Sequence, residues 1–125
     1  MANILVVEDN PLHLELLISI LEIKGYEVEG VGDGEKALHS VKISNFDLIL
    51  LDMHLPGMDG LEVLKRLKQN PLTRYIPVIA VTACAMKGDK EAIIGAGCVD
   101  YVSKPFEISN ILYSTELIFS NLIAH

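Results

Sequence analysis

The sequence predicts a doubly wound α/β domain, with five parallel strands in the order 2-1-3-4-5 and five helices. Two observations predict it. Short apolar runs alternate five times with helical stretches along 125 residues, with short connections and no linker, repeat or low-complexity segment. Chemically capable side chains collect where those runs stop. In a parallel sheet the C-terminal strand ends line the crevice in which ligands bind.

The elements follow in order. Ile4-Leu5-Val6-Val7 is a continuous apolar run, the pattern of a strand covered on both faces, and it stops at Glu8-Asp9. Asn10 is a good N-cap, and Pro11 suits the first helical position, where no N–H is needed. Leu12, Leu16, Leu17, Ile20 and Leu21 recur at helical spacing up to a stop at Gly25. Tyr26 to Gly30 alternates strictly, as an edge strand with one solvated face does. Asp33-Gly34 turns into a short helix carrying Ala37, Leu38 and Val41. Asp47 to Leu51 is a second buried strand, ending in Asp52. The breaker cluster Pro56-Gly57-Met58-Asp59-Gly60 then precedes a helix marked by Leu61, Val63, Leu64 and Leu67. Ile76-Pro77 leads into Val78-Ile79-Ala80-Val81, which ends in Thr82. Lys87 to Ala96 reads as a short polar helix stopped by Gly95 and Gly97. A fifth strand runs near Val99 to Val102, ending in Ser103-Lys104-Pro105, and a last helix fills Ser109 to Ile123.

Size and composition narrow the function. Residues 1–125 fit one domain, large enough to bury a real core. The longest apolar runs are far short of a membrane span, and Met1-Ala2-Asn3 leads straight into a strand with no leader pattern. A cytoplasmic protein with no membrane partner is expected. The formal net charge of −7 disfavours direct nucleic-acid binding. Lys65, Arg66 and Lys68 do cluster, but Glu62 shares their segment, as on a solvated helix face. Cys84 and Cys98 match no metal or redox spacing, and no histidine pair has zinc spacing.

In the order 2-1-3-4-5 the first and third strands are neighbours, so Glu8, Asp9 and Asp52 come together. Crowded carboxylates raise one another's pKa unless a proton or a cation relieves them. The hard cation that suits a few carboxylates plus water and phosphate oxygens is Mg²⁺, with Mn²⁺ as a substitute. Any one of these acids alone could merely cap a helix. Asp52 is the best nucleophile candidate, because a carboxylate can attack a phosphoryl group to give an acyl phosphate. Such chemistry asks the protein mainly for positioning and charge neutralisation. Lys104 could supply a point cation and Thr82 a hydroxyl, although Thr82 alone reads more readily as a strand-boundary residue.

The set Glu8-Asp9, Asp52, Thr82-Ala83 and Lys104-Pro105, with Pro56-Gly57-Met58-Asp59-Gly60 after Asp52, resembles the receiver domain of bacterial two-component response regulators. The resemblance covers essentially the whole chain, in order and at the expected separations. Its fold is flavodoxin-like. Thr82 to Asp89 looks most like single-domain regulators of the cell-cycle type and the receivers of hybrid kinases, within the chemotaxis-type single-domain pattern.

The resemblance implies a set of roles. Asp52 would accept phosphate from a histidine kinase or a histidine phosphotransfer protein. Glu8, Asp9, Asp52 and the backbone carbonyl of His54 would hold Mg²⁺. Thr82 and Lys104 would bind the phosphoryl group, Thr82 and Tyr101 would form the switch, and Pro105 would follow a cis bond. The domain would not be an enzyme, although it would assist its own phosphorylation and dephosphorylation. Glu8 stands where many members have aspartate, and His54 and Cys84 occupy variable positions that tune phosphate lifetime. Output is expected through contact with a downstream protein, using Met86 to Ala96 and the start of the last helix. The apolar stripe Ile108, Ile111, Leu112, Leu117, Ile118, Phe119, Leu122 and Ile123 reads as a core face or as a partner surface, for a monomer or weak dimer. The alternatives are a receiver excised from a larger hybrid kinase or regulator, or a phosphorylation-independent adaptor. A dehalogenase-type phosphatase would need an aspartate where His54 stands, and Glu8-Asp9-Asn10 would repel a flavin phosphate.

Overall fold

Alternation along the strands decides which side chains each helix layer covers. The structure, a computed structural model, describes residues 2–82, 87–104 and 108–124. Its strands are β1 (Asn3–Val7), β2 (Glu27–Val31), β3 (Leu48–Asp52), β4 (Val78–Thr82) and β5 (Asp100–Ser103). They form one parallel sheet in the order β2-β1-β3-β4-β5, as the sequence predicts. The helices are α1 (Pro11–Ile23), α2 (Gly34–Ile43), α3 (Gly60–Gln69), α4 (Lys87–Gly95) and α5 (Ile108–Ala124).

Each sheet face has its own core. Leu5, Val7, Ile49, Leu51, Val78 and Ala80 pack with Ala37 of α2, Val63, Leu64 and Leu67 of α3, and Ile93 of α4. The alternate positions Ile4, Val6, Leu48, Leu50, Ile79, Val81 and Val102 pack with Leu17 and Leu21 of α1 and Ile111 of α5. Three helices therefore cover one face and two the other. Truncating a fully buried residue such as Leu50 or Ile79 to alanine is expected to cost about 2–5 kcal/mol.

Helix starts are set locally. Asn10 Oδ1 accepts from the N–H groups of Leu12 (3.0 Å) and His13 (3.3 Å), with Pro11 at the first helical position. Asp33 and Asp59 likewise cap α2 and α3, at 2.8 Å to Lys36 N and 2.9 Å to Glu62 N. Each such cap contributes about 1 kcal/mol.

Two helices differ from the sequence reading. On α1, Leu17 and Leu21 are buried as expected, but Leu12 and Leu16 are exposed, and Leu14 and Ile18 pack over Gly30 instead. Leucine and isoleucine fall on nearly every side of this helix, so spacing alone does not select its inner face. On α5, Ile111 is buried and Leu117 exposed, while Thr115 is fully buried. The Thr115 hydroxyl donates to the Ile111 carbonyl at 2.8 Å, which satisfies it without a partner from another element. The side chains of Ile108, Leu122 and Ile123 lie outside the described residues, as do Ala83, Cys84, Met86 and Pro105. Among the described residues no helix is long and apolar enough to cross a membrane.

Candidate functional site

The strand register brings the C-terminal ends to one level: Val7 lies opposite Leu51, Asp52 opposite Val81, and Thr82 opposite Ser103. Val6, Leu50 and Val102 point to the α1/α5 face. Two residues further along each strand come Glu8, Asp52 and Lys104, which continue that side into the crevice. Ala80 points to the other face, with Tyr101 opposite it and Thr82 two residues on. The predicted site residues thus fall into two groups, one on each side of the sheet.

The first group is a buried charge cluster. Lys104 Nζ lies 3.0 Å from Asp52 Oδ2 and 3.2 Å from Glu8 Oε2. Asp52 and Glu8 are both nearly inaccessible, at 2% and 3% exposure, so water screens these contacts poorly. The His54 backbone N–H donates to Asp52 Oδ1 at 2.9 Å, so each Asp52 oxygen has a donor. Burial, then the neighbouring Asp52 through both hydrogen bonding and charge, pushes the Glu8 carboxyl up from 4.5 to about 7. Lys104 works against that rise. For Lys104 itself, burial disfavours the charged form, but Asp52 and Glu8 together outweigh it and hold its pKa above the ordinary lysine value. Asp9 is exposed at the mouth of the cluster.

Glu8, Asp9 and Asp52 each offer a carboxylate oxygen, and these oxygens lie within 4.8 Å of one another. The donor set is hard, acidic and open on the Asp9 side. It fits a divalent cation of the Mg²⁺ kind, which would offset both the burial of the Glu8 carboxylate and its repulsion by Asp52.

The second group faces α4. Thr82 is 1% exposed, and its Oγ1 lies 3.2 Å from His54 Nε2. His54 and Thr82 line a cavity of about 480 Å³ with Asp9, Met53, Leu55 and Ile93. Tyr101 is half-buried against the α2/α3/α4 core, and Lys90 Nζ of α4 sits 5.6 Å from its ring centroid. Tyr101 therefore stands apart from the charge cluster, on the side where a displaced α4 would be felt.

The loop between β3 and α3 joins the two groups. Gly57 takes φ +71, a conformation that favours glycine. A Cβ on Gly60 would overlap the Asp52 carbonyl and the Met53 Cα, so only glycine lets α3 start this close to β3. Gly60 N also donates to Met53 O at 3.2 Å.

Three side chains that sequence reasoning did not assign a site contact take part in these contacts. His13 Nδ1 lies 3.3 Å from Glu8 Oε1. The only signal for it was its place in the first turn of a helix that starts beside a strand end. The His54 ring follows Asp52 by two residues, and Lys90 meets Tyr101 only through the packing of α4 on β5.

Comparisons with known proteins agree with this fold. The family model of the response regulator receiver domain matches residues 4–116. The polar-differentiation response regulator DivK of Brucella ovis is 44% identical over 110 residues, covering 88% of this chain and 89% of that protein. The receiver domain of a Pseudomonas aeruginosa sensor histidine kinase, solved with magnesium coordinated in its active-site cleft, superposes with a TM-score of 0.81 at 37% identity. It covers 90% of this chain and 92% of that one. The chemotaxis response regulator CheY4 of Vibrio cholerae superposes with a TM-score of 0.89 at 27% identity, covering 94% and 98%.

Fold and site together define a phospho-accepting signalling module rather than an enzyme of the ordinary kind. The chain belongs to the response regulator receiver domain family.

Proposed function

We propose that residues 1–125 act as one receiver unit, a Mg²⁺-dependent switch phosphorylated on Asp52 by a histidine kinase or a histidine phosphotransfer protein. The observation that carries this reading is the convergence of Glu8, Asp9 and Asp52 with Lys104 at adjoining strand ends. Glu8, Asp9, Asp52 and the His54 backbone carbonyl hold the cation, Mg²⁺ or in its place Mn²⁺. The bound cation neutralises phosphoryl charge. An Asp52 oxygen attacks the donor's phosphorus, the N–P bond to the donor histidine breaks, and an acyl phosphate forms. Lys104 then shifts from the carboxylates toward the phosphoryl oxygens, and Thr82 donates its hydroxyl to them.

Thr82 and Tyr101 lie on the α4 side, which suits a readout through that side of the sheet. Exposed Ile94, Val99 and Tyr113 fit a surface for a downstream protein on a cytoplasmic monomer or weak dimer. The domain also assists its own phosphorylation and dephosphorylation, since it holds the charges that both steps need.

Incubation with acetyl phosphate, followed by intact-mass measurement, tests this function. A gain of one phosphoryl group that requires Mg²⁺ and disappears in Asp52→Asn is expected. No gain, with acetyl phosphate left unconsumed, would overturn the reading.

A further inference from the structure

Residue 54 grips both groups of the site. Its backbone N–H donates to Asp52 Oδ1 at 2.9 Å, while its ring Nε2 lies 3.2 Å from Thr82 Oγ1. The loop that carries it is pinned where Gly60 meets Met53 and the Asp52 carbonyl. The ring is therefore anchored on backbone that does not follow Thr82 when that side chain moves.

A threonine hydroxyl has a single proton, and phosphoryl oxygens only accept. Thr82 can serve a phosphoryl group only by turning that proton toward Asp52. Strand alternation puts Asp52 on the α1/α5 side and Thr82 on the α4 side, where the His54 ring sits at the cavity wall. If the ring nitrogen takes the Thr82 proton, that proton is already committed. If the ring donates instead, the hydroxyl is still held at the rotamer that faces the imidazole. Both tautomers oppose the turn.

We propose that His54 is a positioning residue whose imidazole holds the Thr82 hydroxyl in its resting place and competes for it with a phosphoryl group on Asp52. The inference rests on the phospho-accepting reading and adds a quantity to it. The side chain at position 54 sets how readily the phosphorylated domain switches, and it acts through Thr82. A net hydrogen bond between neutral groups corresponds to an effect of roughly fivefold on that equilibrium.

Beryllofluoride with Mg²⁺, titrated calorimetrically into the full chain, reads this competition. His54→Phe keeps a ring of similar shape and the whole backbone but removes both ring nitrogens. Measured at saturating Mg²⁺, its beryllofluoride affinity is expected to rise roughly fivefold. His54→Gln, which can still reach the hydroxyl, should restore the wild-type value. In a Thr82→Val background His54→Phe should change nothing, an outcome that a merely structural role would not produce.

Equal or weaker beryllofluoride binding by His54→Phe at saturating Mg²⁺ would overturn the inference. So would the same tightening in the Thr82→Val background. Should His54→Phe not fold, His54→Leu carries the same expectations. Wild-type protein that binds Mg²⁺ but no beryllofluoride would instead overturn the phospho-accepting reading, which keeps the two failures apart.

Discussion

The two sides of the crevice are built from opposite materials. On the α1/α5 side, buried Glu8 and Asp52 and the partly buried Lys104 are ionisable and linked by contacts of 3.0–3.2 Å. On the α4 side, Thr82, His54 and Tyr101 meet their neighbours through a hydroxyl–imidazole contact, an open cavity and a cation held over a ring at 5.6 Å. Charges packed in low dielectric are costly to separate, whereas neutral and solvent-facing contacts change at small cost. The difference fits the proposed division of tasks, with chemistry on the first side and movement on the second.

The largest expected effect breaks the charged side. Lys104→Met leaves two buried carboxylates facing each other. It should cost about 3 kcal/mol in urea unfolding at pH 8 with chelator present, and added Mg²⁺ should return part of the loss. A loss below 1 kcal/mol would mean that the cluster is not the half that is costly to separate.

Next comes the Glu8 carboxyl, whose folded pKa of about 7 lies above its ordinary 4.5. Such a group binds its proton more tightly folded than unfolded. Its contribution to stability is therefore complete below pH 4.5 and is lost as pH rises through 7. The loss amounts to about 3 kcal/mol. Unfolding series across this range, compared with Glu8→Gln, should show that slope in the wild type alone, and saturating Mg²⁺ should flatten it. The smallest effect belongs to the α4 side. Lys90→Met removes the cation over Tyr101 and should cost about 0.5 kcal/mol or less. A cost as large as that of Lys104→Met would erase the contrast between the two sides.

Much of the fold was legible because strand and helix periods differ so sharply here. Ile4 to Val7 and Leu48 to Leu51 read as doubly covered strands, and both are buried throughout. Asn10-Pro11 announced the start of α1, and the cap contacts are present. The inner face of α1 was not legible, because Leu12, Leu14, Leu16, Leu17 and Ile18 surround the helix and only the sheet chooses among them. Thr115 was missed for a related reason: a hydroxyl satisfied by its own helix can be buried, and composition does not say so. In the site, the convergence of Glu8, Asp9 and Asp52 followed from strand order. Which side of the sheet each residue takes depends on register, and contacts such as His54 to Thr82 depend on where a loop is pinned. Neither is written in spacing.

The central claim is that Asp52, among several nearby carboxylates, is the residue made for phosphoryl chemistry. Borohydride reduces an aspartyl phosphate to homoserine, so trapping after acetyl phosphate treatment and peptide mass mapping locates the acceptor directly. The structure predicts conversion at Asp52 alone, dependent on Mg²⁺. Conversion at Asp9 or Asp59 with Asp52 untouched would contradict it.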